Sequence, residues 1–79
     1  MLVNFMDEDY ILANKYRKLI FKALNLGQTN IEFIAKKHRI VLSIAKKVID
    51  DFEKQKLVEK KQNRYILTDK GKKIAEKLS

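Results

Sequence analysis

Apolar residues recur at helical spacing through the first third of the chain. Leu12, Tyr16, Leu19, Ile20, Ala23 and Leu24 fall on one side of a helix. They predict a first long helix from near Asp7 to Leu26, with Lys15, Lys18 and Lys22 on the other side. Asp7, Glu8 and Asp9 suit its positive N-terminal end, Lys22 suits its last turn, and Gly27 is a natural stop. Tyr10 and Phe21 widen the apolar arc beyond one stripe, which calls for a second contact. The N-terminal segment Leu2, Val3, Phe5 and Met6 could supply it, as could another subunit.

A second, short helix is expected near Asn30 to Lys37, with Ile31, Ile34 and Ala35 as its apolar stripe. Thr29-Asn30-Ile31-Glu32 fits a capping box, with Asn30 as the alternative cap. A third spans about Val41 to Gln55. Ile44, Ala45, Val48, Ile49 and Phe52 mark its buried side, and Ser43, Lys47, Asp50 and Lys54 lie opposite, with Lys46 beside them. The period then changes. Leu57 to Lys61 and Arg64 to Leu67 read as two short strands, and Gln62-Asn63 forms the turn between them, where Asn tolerates a left-handed conformation. Thr68 or Asp69 caps a last helix to Leu78, with Ile74, Ala75 and Leu78 facing inward. The fold class is mostly α with a small β-hairpin, in the order helix, helix, helix, hairpin, helix.

Composition narrows the functions. The 79 residues carry 18 basic and 10 acidic side chains, a net charge of +8, and are 46% apolar. That suits one small core and a single domain over 1–79. The charge is uneven: −3 over residues 1–14 and +11 over residues 15–79. A basic body of this kind points to nucleic acid or to a well-solvated surface. Lysine outnumbers arginine 15 to 3, and lysine and glutamate without cysteine are a heat-adaptation signature that suggests an archaeal source. The absence of cysteine and the single histidine exclude disulfides, thiolate metal sites and histidine-rich metal sites. No apolar run is long enough to span a bilayer, and the start lacks a basic leader, so a soluble, cytoplasmic chain is expected.

Two short helices joined around His38-Arg39-Ile40 make a helix-turn-helix. The second helix of such a unit lies in the DNA major groove. Residues 15–79 resemble the winged helix-turn-helix domains of archaeal and bacterial transcriptional regulators. Ile34-Ala35-Lys36-Lys37 is similar to the family's Leu-Ala-Lys-Lys on its second helix. Ala45, Ile49 and Phe52 match its buried positions, and Leu57-Val58 match the apolar pair that opens the wing. Arg64-Tyr65-Ile66-Leu67-Thr68-Asp69-Lys70-Gly71 resembles the second wing strand and the Leu-Thr-x-x-Gly start of the last helix. The chain departs from the pattern at His38-Arg39, where the family holds Leu-Gly. It departs again at Val41 and Leu42, where small hydroxyl or basic residues are usual, and at Lys56, where glycine ends the helix.

The resemblance implies a double-stranded DNA-binding transcriptional regulator. Lys46 and Lys47 are the first candidates for DNA contact, with Ser43 as a contact or a local cap; Leu42 could touch a thymine methyl, anchor a protein-binding patch, or pack under the N-terminal segment. Lys60, Lys61 and Arg64 would hold phosphates, and Arg39 would add a backbone contact. Each has a plainer reading. Lys46 with Asp50, and Lys47 with Asp51, could be solvated pairs four apart, and hairpin lysines discourage edge pairing. Lys72, Lys73 and Lys77 read as solubility charges, and His38 as a half-buried packing residue. Leu2, Val3, Phe5 and Met6 are the candidate homodimer contact. No catalytic set, cofactor site, metal site, membrane partner or small-molecule effector is indicated. The alternative is a winged helix that docks a protein within a larger complex, motivated by Val41 and Leu42. Its discriminator is whether those side chains form an exposed apolar patch. RNA binding is a weaker third option, because Tyr10, Tyr16 and Tyr65 read as core.

Overall fold

Asn14 breaks the first expected helix in two. The structure, a computed structural model, describes residues 8–78; the candidate dimer contact Leu2, Val3, Phe5 and Met6 lies outside them. Residues 8–12 are helical, and the chain then turns at Ala13. Asn14 adopts extended backbone, and its side chain accepts from the backbone N–H groups of Tyr16 and Arg17 at 2.8 and 3.2 Å. A new helix, α1 (Lys15–Asn25), starts there. A periodic pattern cannot register a cap placed inside it, because Asn also fits a helix interior at modest cost. The break resets the helical phase, so Leu12 points to solvent instead of joining the stripe of α1.

Two further helices follow: α2 (Ile31–Lys37) and α3 (Leu42–Lys54). Asn30, not Thr29, caps α2, accepting from Phe33 N–H at 3.0 Å. The antiparallel hairpin pairs β1 (Val58–Lys61) with β2 (Arg64–Leu67), Val58 opposite Leu67 and Lys61 opposite Arg64. The left-handed turn residue is Gln62 (φ 58°), not Asn63. The last helix is α4 (Asp69–Leu78).

Phe52 of α3 sits at the centre of the core. It is fully buried with Ile11, Ile20, Ile34, Ile49 and Leu57. Tyr10 and Phe21 meet its ring edge-on, at centroid distances of 6.3 and 5.9 Å. The part of the apolar arc that Tyr10 and Phe21 add is thus covered by Phe52, while Leu12 is left exposed. The buried side of α3 begins at Ala45; Ile44 lies beyond the reach of the core and is exposed.

Thr68 locks the base of the hairpin to α4. Its hydroxyl donates to the Lys56 carbonyl at 2.6 Å and accepts from Gly71 N–H at 3.1 Å, while its own N–H donates to the Leu57 carbonyl at 3.0 Å. Gly71 is buried against that same Leu57 carbonyl, and a Cβ there would collide with it. The Thr-x-x-Gly spacing therefore records a cap and a close backbone approach. Tyr65 N–H donates to Thr29 O at 2.9 Å, fastening β2 to the α1–α2 loop.

The helical turn before α1 is held by charge. The Arg17 guanidinium lies 3.8 Å from the Tyr10 ring centroid and donates to Tyr10 O at 3.0 Å, and Lys77 pairs with Glu8 at 3.6 Å. Burial raises the Tyr10 phenol above its ordinary 10.0, against the lowering pull of Arg17 and with a further raise from Asp51.

Two predictions follow from this packing. Gly71→Ala is expected to destabilise the fold by about 2 kcal/mol, because the rigid carbonyl outweighs the gain in helix propensity. A lowered melting temperature by circular dichroism checks it, and an unchanged one contradicts it. The Tyr10 contribution is complete below the unfolded-state value and is lost as pH rises through the raised folded-state value. Tyr10→Phe should therefore lose less melting temperature than the parent between about pH 9 and about pH 11.

Candidate nucleic-acid interface

The turn between α2 and α3 is built on a left-handed residue. His38 is the C-cap of α2, and Arg39 follows with φ 56°. Arg39 N–H bonds to the Lys36 carbonyl at 3.3 Å, and Ile40 N–H to the Ala35 carbonyl at 2.8 Å. These two bonds are the Schellman closure, and it drives Ile40 into the core. Arg39, the residue with the strained backbone, stays exposed directly before α3. His38 is half-buried.

Helix α3 opens without a side-chain cap. Val41 occupies the N-cap position, and no side chain there bonds to the first turn. Ser43, the alternative local cap, lies inside the helix. Val41 is 62% exposed, and Leu42 and Ile44 are 37% exposed each. The apolar tip that the protein-docking alternative requires is therefore present. Beyond it, Lys46 and Lys47 are exposed on the side away from the core, with Asp50 between them and the helix end. Lys47 Nζ lies 3.4 Å from Asp51 Oδ1, one of the two pairs expected four apart. An exposed pair of this kind contributes little and gives way easily to another anion.

The hairpin tip concentrates cations. Lys60, Lys61 and Arg64 are all exposed, and Lys61 stands directly opposite Arg64 in the register. Like charges facing each other across a pair of strands repel. A bound anion would relieve that repulsion. Lys60 lies 5.8 Å from the centroid of the Tyr65 ring, which is partly buried with Tyr10 and Tyr16 against the core. Lys72 and Lys73 are exposed on α4, away from both elements in sequence.

The expected contact residues thus gather on two elements, the α2–α3 unit and the hairpin. Leu57 links them. Its N–H bonds to the Phe52 carbonyl at 2.9 Å after Lys56 takes a left-handed φ of 63°. Phe33 on α2, 55% exposed, is a surface residue that the periodicity did not single out. Its signal is indirect, since it falls outside the stripe of Ile31, Ile34 and Ala35. Among the described residues, no group of three or more histidine, aspartate or glutamate side chains could hold a metal ion.

Residues 18–79 match the winged helix-turn-helix family, the span from the first turns of α1 through the hairpin to the last helix. The chain belongs to that family. No curated protein and no solved structure matches it. Membership of the winged helix-turn-helix family supports a DNA-binding regulatory role in general. No helix among the described residues is long and apolar enough to cross a membrane.

Arg39 and Lys56 hold conformations that suit glycine. Arg39→Gly and Lys56→Gly should each stabilise this winged helix by about 0.5 to 1 kcal/mol, the relief of strain less the added entropy of the unfolded chain. Denaturant titration reads the gain. A loss of stability in both would show that the two side chains contribute contacts that outweigh the strain.

Proposed function

We propose that this winged helix binds double-stranded DNA as a transcriptional regulator. Helix α3 enters the major groove, and the hairpin lies on the phosphate backbone. The observation that carries this reading is the placement of exposed cations on both elements. Lys46 and Lys47 lie on the outer side of α3, and Lys60, Lys61 and Arg64 crowd the hairpin tip. The facing pair Lys61 and Arg64 is most stable with an anion between its members. Arg39, exposed at the turn, adds a backbone contact, and Ser43 supplies a hydroxyl to the first turn of α3. A homodimer through Leu2, Val3, Phe5 and Met6 would set the spacing of two half-sites.

A second reading is favoured by one observation. Val41, Leu42 and Ile44 form an exposed apolar tip, which a protein partner within a larger complex could cover.

A salt series of fluorescence-anisotropy titrations on random-sequence duplex tests the first reading. Log affinity should fall with log salt at about −0.9 per phosphate neutralised. Lys46→Ala/Lys47→Ala should flatten that slope by about 2 at most, and Lys72→Ala/Lys73→Ala should leave it unchanged. Equal losses from both pairs, or no binding at low salt, would reject DNA docking through α3.

A further inference from the structure

We infer that the tip of α3 reads the C5-methyl groups of thymine, so that this protein prefers A·T-rich major groove. The inference rests on the DNA-binding reading above and specifies what its leading helix recognises. Two independent observations carry it.

The first is chemical. The N-terminal residues of a recognition helix are the ones that reach base edges. Here they are Val41, Leu42, Ser43 and Ile44, all exposed. Guanine is read by the paired donors of arginine or lysine, and adenine by the amide of asparagine or glutamine. The first turn of α3 holds none of these. Three of its four side chains can offer only apolar contact, and the thymine methyl is the apolar group that the major groove displays. Ser43 is permissive and discriminates little.

The second is energetic. The other three helices that lie within the described residues begin with side-chain caps, from Asn14, Asn30 and Thr68. Only α3 opens on an uncapped apolar residue, Val41. A serine or aspartate there would hold the helix better. Local rules are broken in this way where function requires it. The residue that displaces the cap is also the most exposed of the three apolar side chains, at 62%.

The surroundings choose the occupant. Arg39 precedes the apolar tip, Lys46 and Lys47 follow it, and Lys60, Lys61 and Arg64 lie on the hairpin beyond. Lysine is depleted from the cores of protein–protein interfaces. A polyanion that carries methyl groups in its groove complements this arrangement better than a protein surface does.

The test uses four labelled duplexes at one salt concentration. They are an alternating A·T duplex, the same duplex with uracil for thymine, an alternating G·C duplex, and the same with 5-methylcytosine. Uracil removes the methyl and keeps the hydrogen-bonding edge. The A·T duplex should bind more tightly than its uracil form by about fourfold for each methyl contacted. Methylation should strengthen G·C binding in the same direction. Val41→Ser should shrink both ratios towards one while raising the melting temperature, because serine restores the cap. Leu42→Ala should shrink them too. Lys46→Ala/Lys47→Ala should weaken all four duplexes and leave the ratios in place.

Equal binding of the thymine and uracil duplexes, with the salt dependence retained, would overturn the methyl assignment and spare the DNA-binding reading. Ratios that persist in Val41→Ser and Leu42→Ala would also overturn it, since the methyl would then act through the duplex itself. Failure to bind any duplex would overturn both readings and leave the apolar tip to a protein partner.

Discussion

Helices α1, α2 and α3 each stop on a left-handed residue, and the geometry of the winged helix depends on those stops. Gly27, Arg39 and Lys56 occupy equivalent positions, with φ of 100°, 56° and 63°. After each, the same pair of backbone bonds closes the helix end. They are Gly27 and Gln28 onto Leu24 and Ala23, Arg39 and Ile40 onto Lys36 and Ala35, and Lys56 and Leu57 onto Glu53 and Phe52. The residue after the second and third stop is apolar and buried, Ile40 and then Leu57. The second and third stops therefore each reverse the chain and anchor its next segment in the core in one step. Helix α3 leaves the first anchor with its uncapped end outward. The hairpin leaves the second with its cationic tip away from Phe52.

Most of this architecture was legible in the chain because its signals are local. Ile31, Ile34 and Ala35, then Ala45, Val48, Ile49 and Phe52, show helical period without ambiguity, and all are buried. The change of period after Leu57 and the Thr-x-x-Gly of the last helix are equally local. The misreadings have separate physical origins. Asn14 lies inside an amphipathic run, where period outweighs a capping preference, so two helical pieces read as one. Ile44 has the right period but stands past the edge of the core, and only the tertiary arrangement fixes that edge. The turn exchanged Asn63 for Gln62 because a hairpin's twist, set by both strands, decides which residue takes the positive φ. At the candidate interface, the cations were legible as charges and their exposure followed. What composition hid was the absence of a cap at Val41, which has meaning only beside Asn14, Asn30 and Thr68.

The α3 surface is also tied to the far side of the molecule. Lys47 pairs with Asp51, Asp51 faces the Tyr10 phenol, and the Tyr10 ring lies under Arg17. A phosphate that draws Lys47 away would leave Asp51 to Tyr10 alone. The helical turn over residues 8–12 is thus joined to the outer side of α3 through a chain of neighbouring side chains.

The Thr68 knot gives the hairpin a gradient of stiffness. At its root, the Thr68 hydroxyl and N–H bind Lys56 and Leu57, and midway Tyr65 is fastened to Thr29. Beyond Tyr65 the two-stranded ladder continues with exposed residues alone, and such a ribbon is marginal by itself. Amide protons should therefore exchange slowly near Leu57 and progressively faster towards Gln62. A wing built this way is fixed to the helices at its root and yields most easily at its last turn.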